Sequence, residues 1–206
     1  LARFAARWGD GDFCVRGGRL DHRRVRERLA EARRADLPVA LLGASYGFVH
    51  LVDALGDARE TLPAGSVVMP TGGFKGRSRE IAPADFHALL GERLGVSRGQ
   101  IVGEYGMTEL ASQAYEAHAE GAPPGTYRAP PWMVVRAVDP GSLAPLPTGE
   151  VGLVRVVDLA NLGSAVAIQT SDLGRVTAEG FEVLGRAPGA TPRGCARALD
   201  AALSGG

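Results

Sequence analysis

Lysine is almost missing from this chain. Arginine supplies 22 of its 23 basic residues, and Lys75 is the only lysine. Basic and acidic residues number 23 each, which leaves no electrostatic ground for expecting nucleic acid or an anionic membrane as partner. Cysteine is nearly as scarce. Cys14 and Cys195 are too few and too far apart for a zinc site or a disulfide framework, so a reducing, cytoplasmic setting is expected. No apolar run reaches the roughly 18 residues of a membrane span. The charges of residues 1–4 are not followed by the uninterrupted apolar stretch of a signal peptide. No histidine follows His118, and there are no internal repeats.

What is there is ordinary for a globular protein. Hydrophobic residues make up 45% and charged residues 22%, a usage that excludes disorder, collagen and coiled coil. A length of 206 residues suits one large domain or two small ones. The chain begins with leucine, as a piece of a longer protein would.

Residues 21–34 predict an amphipathic helix, with Asp21 as cap and Val25, Leu29 and Ala32 at i, i+4 and i+7. Arginines 23, 24, 26, 28, 33 and 34 would form its solvated face. Strands are expected at 38–42, 66–69 and 100–105. Helices are expected at 46–55, from Pro83 to about residue 94, and from Thr108 onward. This alternation predicts an α/β fold with a parallel or mixed sheet. After Gly121, proline- and glycine-rich turns separate strands at 132–138, 150–158, 164–169 and 173–184, the last a hairpin turning at Glu179-Gly180. The expected organisation is an α/β nucleotide-binding region over 1–121, a β-rich, barrel-like subdomain over 122–186, and a flexible tail over 187–206 carrying Cys195.

Gly43-Ala44-Ser45-Tyr46-Gly47 matches G-x-S-x-G between a strand and a helix, the setting of a nucleophile elbow. A hydrolase of that kind needs a late histidine, which this sequence does not supply. A plain strand-to-helix turn fits the pattern as well. Thr71-Gly72-Gly73-Phe74-Lys75-Gly76 follows a strand, and its glycines would let backbone approach a ligand. It lacks the spacing of a Walker A loop, and an ordinary loop reads the same way. In Gly103-Glu104-Tyr105-Gly106-Met107-Thr108-Glu109, a strand ends in an aromatic face suited to a base. A hydroxyl and a carboxylate follow at an expected helix start, where a phosphate and Mg²⁺ could be held. A capped helix is the plainer reading. Asp172 in Thr170-Ser171-Asp172-Leu173-Gly174, and Arg186 after Gly185, could clasp a ribose diol or simply be turn residues.

In this order, a Gly-Gly loop, Tyr-Gly-x-Thr-Glu, Thr-x-Asp-Leu-Gly and Gly-Arg, the sequence resembles the adenylate-forming (acyl-activating) superfamily. Within it, the chain is most similar to the acyl-protein synthetases, the fatty-acid-activating component of the bioluminescence fatty-acid reductase complex. The specific likenesses are the 71–76 loop, Asp158-Leu159-Ala160-Asn161-Leu162, and Arg193-Gly194-Cys195. The resemblance implies ATP and Mg²⁺ as cofactors, a long-chain fatty acid as substrate and an acyl reductase as partner. It implies that Tyr105 and Gly106, with Gly72 and Gly73, hold adenine, that Asp172 and Arg186 hold the ribose, that Thr108 meets the α-phosphate and that Glu109 binds the metal. Cys195 would carry the acyl thioester, between Arg193 and Arg197, which lower its pKa. Cys14 would be incidental. The superfamily's Ser/Thr/Gly-rich phosphate loop has no counterpart here and is expected upstream of Leu1. Twenty residues follow Arg186, without the small domain that carries a lysine in many members, and no role is assigned to Lys75. A serine hydrolase built on Ser45 and a non-catalytic fragment are the alternatives.

Overall fold

The structure is a computed structural model and describes residues 11–16, 19–72, 79 and 81–189. A two-residue hairpin, β1 (Val15–Arg16) and β2 (Arg19–Leu20), leads into α1 (His22–Ala35). The Asp21 carboxylate accepts from the Arg24 amide at 2.9 Å and so satisfies a donor that the helix start leaves open. Asp36 stops the helix in the left-handed conformation (φ 50°), donating its N–H to the Ala32 and Arg33 carbonyls. Val25 and Leu29 are buried as their spacing requires. The arginine face is not merely solvated. Arg26 and Arg33 both pair with Glu60, whose side chain is only 7% exposed, and Arg24 reaches Asp12. A carboxylate taken that far from water needs such partners.

β3 (Ala40–Ala44) runs into α2 (Ser45–Leu55), and β4 (Val67–Thr71) is followed by α3 (Pro83–Leu94), with Pro83 in its first turn. β3 and β4 pair parallel, from Ala40 opposite Val67 to Ala44 opposite Thr71. The strand expected at 100–105 is shorter. Residues 98–100 form a 3₁₀ turn locked by a Ser97–Gln100 capping box, and Ile101 makes only a bridge to Val68. β5 is left as Glu104–Tyr105, parallel to β4.

The helix expected from Thr108 is absent. A turn at 108–109 leads into β6 (Ala114–Glu116), antiparallel to β5. The reason lies far along the chain. Asp158 Oδ2 accepts from the amides of Ala111 (3.0 Å) and Ser112 (2.8 Å), and Asp158 Oδ1 from the Ser112 hydroxyl (2.9 Å). A helix starting at Thr108 would need the Ser112 amide for the Thr108 carbonyl.

β7 (Thr126–Arg128), β8 (Met133–Val138), β9 (Gly152–Asp158), β10 (Ala167–Val176) and β11 (Phe181–Arg186) complete the chain of elements. The strand expected at 164–169 and the first arm of the final hairpin are one strand, β10. Its register against β9 is irregular between Gln169 and Leu173, the stretch that contains Asp172. Among the described residues, nine strands form one mixed sheet in the order β3-β4-β5-β6-β7-β11-β10-β9-β8. One core packs α1, α2 and α3 around β4, with Leu29, Val49, Val68 and Leu90 at its centre. A second gathers Tyr105, Leu110, Met133, Val156 and Phe181 beneath the β-rich part. Among the described residues, no helix is long and apolar enough to cross a membrane.

Two buried carboxylates tie loops to this frame. Glu116 accepts from Arg98 (2.5 Å), the Gly103 amide (2.7 Å) and the Gly125 amide (2.7 Å). Burial pushes the Glu116 acid up, but Arg98 and the two amides outweigh it and hold the pKa below the usual carboxylate range. Asp158 is held low in the same way, burial opposed and outweighed by Ser112 and the amides of Ala160, Ser112 and Ala111. Groups with depressed folded-state pKa values contribute stability that is present above their unfolded values, near pH 4, and lost as pH falls through the folded ones. The urea midpoint is therefore expected to hold from pH 7 to about pH 5 and to drop steeply below about pH 4. Glu116→Gln should flatten that drop. An unaltered acid limb in the variant would show that Glu116 is not among its causes.

Candidate nucleotide site

Ligands of parallel sheets bind beyond the carboxyl ends of the strands. Here β4 delivers Thr71-Gly72 and β5 delivers Tyr105-Gly106 to the same end of the sheet. The Tyr105 ring meets Phe181 edge-on (5.6 Å between centroids, 77° between planes) and Tyr127 at 6.2 Å. Its hydroxyl donates to Asp172 Oδ2 at 2.9 Å. Burial first, and the Asp172 charge second, raise the Tyr105 phenol far above its ordinary pKa, so it stays a donor. Arg186 Nε donates to Asp172 Oδ1 at 3.1 Å. Asp172 and Arg186 face each other across β10 and β11. An antiparallel hairpin thus brings together two motifs that are 14 residues apart.

Glycine is suited to three positions here, most strictly where backbone stands in the way. Gly72 has φ +63°, which side chains with a Cβ rarely adopt. A Cβ on Gly106 would meet the end of the Glu104 side chain, which would have to shift. A Cβ on Gly174 would collide with the Glu182 backbone carbonyl and lie 2.7 Å from Val154 Cγ2. Gly174→Ala is accordingly expected to destabilise the protein by about 1–3 kcal/mol, read as a lower urea midpoint. A midpoint equal to the parent's would mean that β10 and β11 separate there freely.

Thr108 and Glu109 both lie exposed on the turn after Gly106, the Thr108 hydroxyl donating to Glu109 Oε2 at 3.1 Å. With no helix there, the expected helix N-terminus is not part of the site. Of the amides along this stretch, Leu110's donates to the Met107 carbonyl at 3.1 Å and Ala111's to Asp158.

Ser45 has neither the strain nor the exposure of an elbow nucleophile. It is 5% exposed, and its hydroxyl donates to the Gly72 carbonyl at 2.7 Å. Among the described residues, the only non-glycine residues with positive φ are Asp36 and Leu143. Ser45 therefore holds the start of the glycine loop, while none of its described hydrogen bonds involves a histidine. The Cys14 thiol is half-buried, its pKa raised first by burial and then by Asp12, which makes it a poor nucleophile. Gly73, Lys75 and Cys195 lie outside the described residues.

Sequence reasoning passed over two participants. Glu104 accepts from the Thr71 hydroxyl, which joins β4 to β5 directly beside Gly72. Its only signal was its place before Tyr105. Asn161 donates to the Glu109 carbonyl at 2.7 Å, and nothing local to the turn announced it. Among the described residues, no group of three or more His, Cys, Asp or Glu is placed to hold a metal.

A family model described as "Acyl-protein synthetase, LuxE" matches residues 20–204. The chain is 24% identical to a long-chain-fatty-acid–luciferin-component ligase of Aliivibrio fischeri, over 80% of this chain and 43% of that protein. It is 25% identical to the ligase of the same name from Vibrio harveyi, over 93% of this chain and 52% of that protein. The chain thus spans about half the length of the curated relatives it matches. In fold it is similar to apo MatB from Rhodopseudomonas palustris (TM-score 0.61, 20% identity, 82% of this chain and 34% of that one). It is also similar to ATP-bound MatB (TM-score 0.60, 20% identity, 82% and 33%).

Proposed function

Because the chain belongs to the acyl-protein synthetase family, we propose that it carries part of a cytoplasmic, ATP-dependent long-chain fatty-acid ligase. In the first step a fatty carboxylate oxygen attacks the α-phosphorus of ATP, forming acyl-AMP as the bond to pyrophosphate breaks. In the second a cysteine thiolate attacks the acyl carbonyl, forming a thioester as AMP leaves. The observation that supports this reading best is the Tyr105–Asp172–Arg186 linkage at the carboxyl end of β5.

Asp172 uses one hydrogen bond on each oxygen, and a carboxylate has about four acceptor positions, so it can still accept from both hydroxyls of a ribose. Tyr105 offers its ring and Gly72, Gly73 and Gly106 their backbone to adenine. Thr108 donates to the α-phosphate. Glu109, an exposed carboxylate with hard oxygen donors, fits a magnesium ion that arrives with the nucleotide. When bound, such an ion spreads the charge that develops on phosphate. Cys195 takes the acyl group for delivery to an acyl reductase.

The test uses the full-length gene product and a radiolabelled long-chain fatty acid. ATP-dependent labelling, released by neutral hydroxylamine, lost in Cys195→Ser and retained in Ser45→Ala, is the expected result. Stable acyl labelling without ATP would overturn the reading in favour of a serine hydrolase. No labelling under any condition would mark a non-catalytic fragment.

A further inference from the structure

The hairpin that follows β9 has no part in the chemistry above, yet it grips the turn on which that chemistry depends. Asn161 Nδ2 donates to the Glu109 carbonyl at 2.7 Å and to the Ala165 carbonyl at 2.9 Å, while Asn161 Oδ1 accepts from the Ser164 hydroxyl at 2.9 Å. The amide is thereby engaged at both ends and cannot swing. Asp158, with 0% of its surface exposed, accepts from the amides of Ala111 and Ser112 on the far side of Leu110. Leu110 itself is 7% exposed and anchored in the second core.

The main chain is therefore held at the Glu109 carbonyl and again at the amides of Ala111 and Ser112, with Leu110 bracketed between them, while the Glu109 side chain stays in solvent. No helix supplies that rigidity, since residues 108–109 form an isolated turn. From this bracket we infer that Asn161, supported by Ser164, is a positioning residue. It sets the direction in which Glu109 presents its carboxylate to a nucleotide-bound divalent cation. The inference rests on the ligase reading given above. Groups that orient a ligating residue without touching the metal characteristically change metal affinity by about 10–100-fold when removed. Asn161 has the geometry of such a group, because it bonds the Glu109 carbonyl and leaves the Glu109 carboxylate untouched.

The experiment is a calorimetric titration of the full-length protein with ATP, with magnesium and again in EDTA. It compares the unsubstituted protein with Asn161→Ala and Ser164→Ala. The expected result has three parts. Asn161→Ala weakens magnesium–ATP binding about tenfold, while metal-free ATP binding stays within about twofold of the parent. Ser164→Ala gives a smaller loss of the same kind. Asn161→Ala, which leaves the Glu109 and Ala165 carbonyls without their donor, also lowers the urea midpoint, and Ser164→Ala lowers it less. Equal losses with and without magnesium, or no loss, would overturn the inference, since a merely structural role does not distinguish the two titrations. If Asn161→Ala fails to fold, Ser164→Ala decides by the same comparison. Failure of the unsubstituted protein to bind ATP would overturn the ligase reading, and the inference with it.

Discussion

Asp172→Ala is expected to weaken ATP binding by about 100-fold, the equivalent of two charge-assisted hydrogen bonds to a ribose. The effect should exceed that of other single changes at the site, because on the proposed reading Asp172 serves the ligand as well as the scaffold. Its loss leaves the Tyr105 hydroxyl without the acceptor it has at 2.9 Å and Arg186 without the carboxylate at 3.1 Å. Tyr105 is 9% exposed, so its hydroxyl has little water to turn to, and an unmet buried donor costs about 1–3 kcal/mol. Asp172→Asn separates the two roles. It keeps the size and an acceptor oxygen but removes the charge, and should lose affinity with a smaller change in urea midpoint. Titration of both variants with ATP checks this. An Asp172→Ala protein that binds ATP as the parent does would remove the ribose role from Asp172.

The second large effect concerns stability. Asp158→Ala is expected to lower Tm by roughly 10 °C, among the larger single-residue effects. The carboxylate accepts four hydrogen bonds, from the amides of Ala111, Ser112 and Ala160 and from the Ser112 hydroxyl. Trp132 Nε1 in turn donates to that same hydroxyl at 2.9 Å. Removing the acceptor leaves the buried Ser112 amide and hydroxyl without it at once, while the part-buried amides of Ala111 and Ala160 lose the same partner. Asp158→Asn should fall between, since an amide accepts on one atom only. Thermal unfolding followed by circular dichroism measures all three proteins. A shift of less than about 3 °C for Asp158→Ala would mean that the 111–112 segment finds other partners.

Legibility from sequence followed the range of the deciding contact. Asp21, Val25 and Leu29 announce α1 because the cap and the buried stripe lie within a few residues of one another. Pro83 marks α3 for the same reason. The pairing of Asp172 with Arg186 was foreseeable, since an antiparallel hairpin of that length places its two ends together. The 106–113 segment was not. Thr108-Glu109 reads locally as the beginning of a helix, and the group that overrules it, Asp158, comes 46 residues after Ser112. At Ser45 the missing late histidine already spoke against an elbow, and the deciding contact is again distant. Its local pattern is that of an elbow, while its partner, the Gly72 carbonyl, is 27 residues on. Asn161 stood in a stretch valued only for its resemblance, and its bond to Glu109 spans 52 residues.

The place of β11 between β7 and β10 has a bearing on how the protein is made. The strand that joins the two parts of the sheet is also, among the described residues, the last strand to be synthesised. Until then β7 presents a bare row of backbone donors and acceptors. With translation at roughly 5–20 residues per second, the interval between β7 and β11 lasts about 3 to 12 seconds. During those seconds Tyr105 has no Phe181 beside it, and β6–β7 remains a sticky margin on a ribosome-bound intermediate. A nascent chain stalled before residue 181 should therefore associate with chaperones, and one carried past residue 186 should let them go.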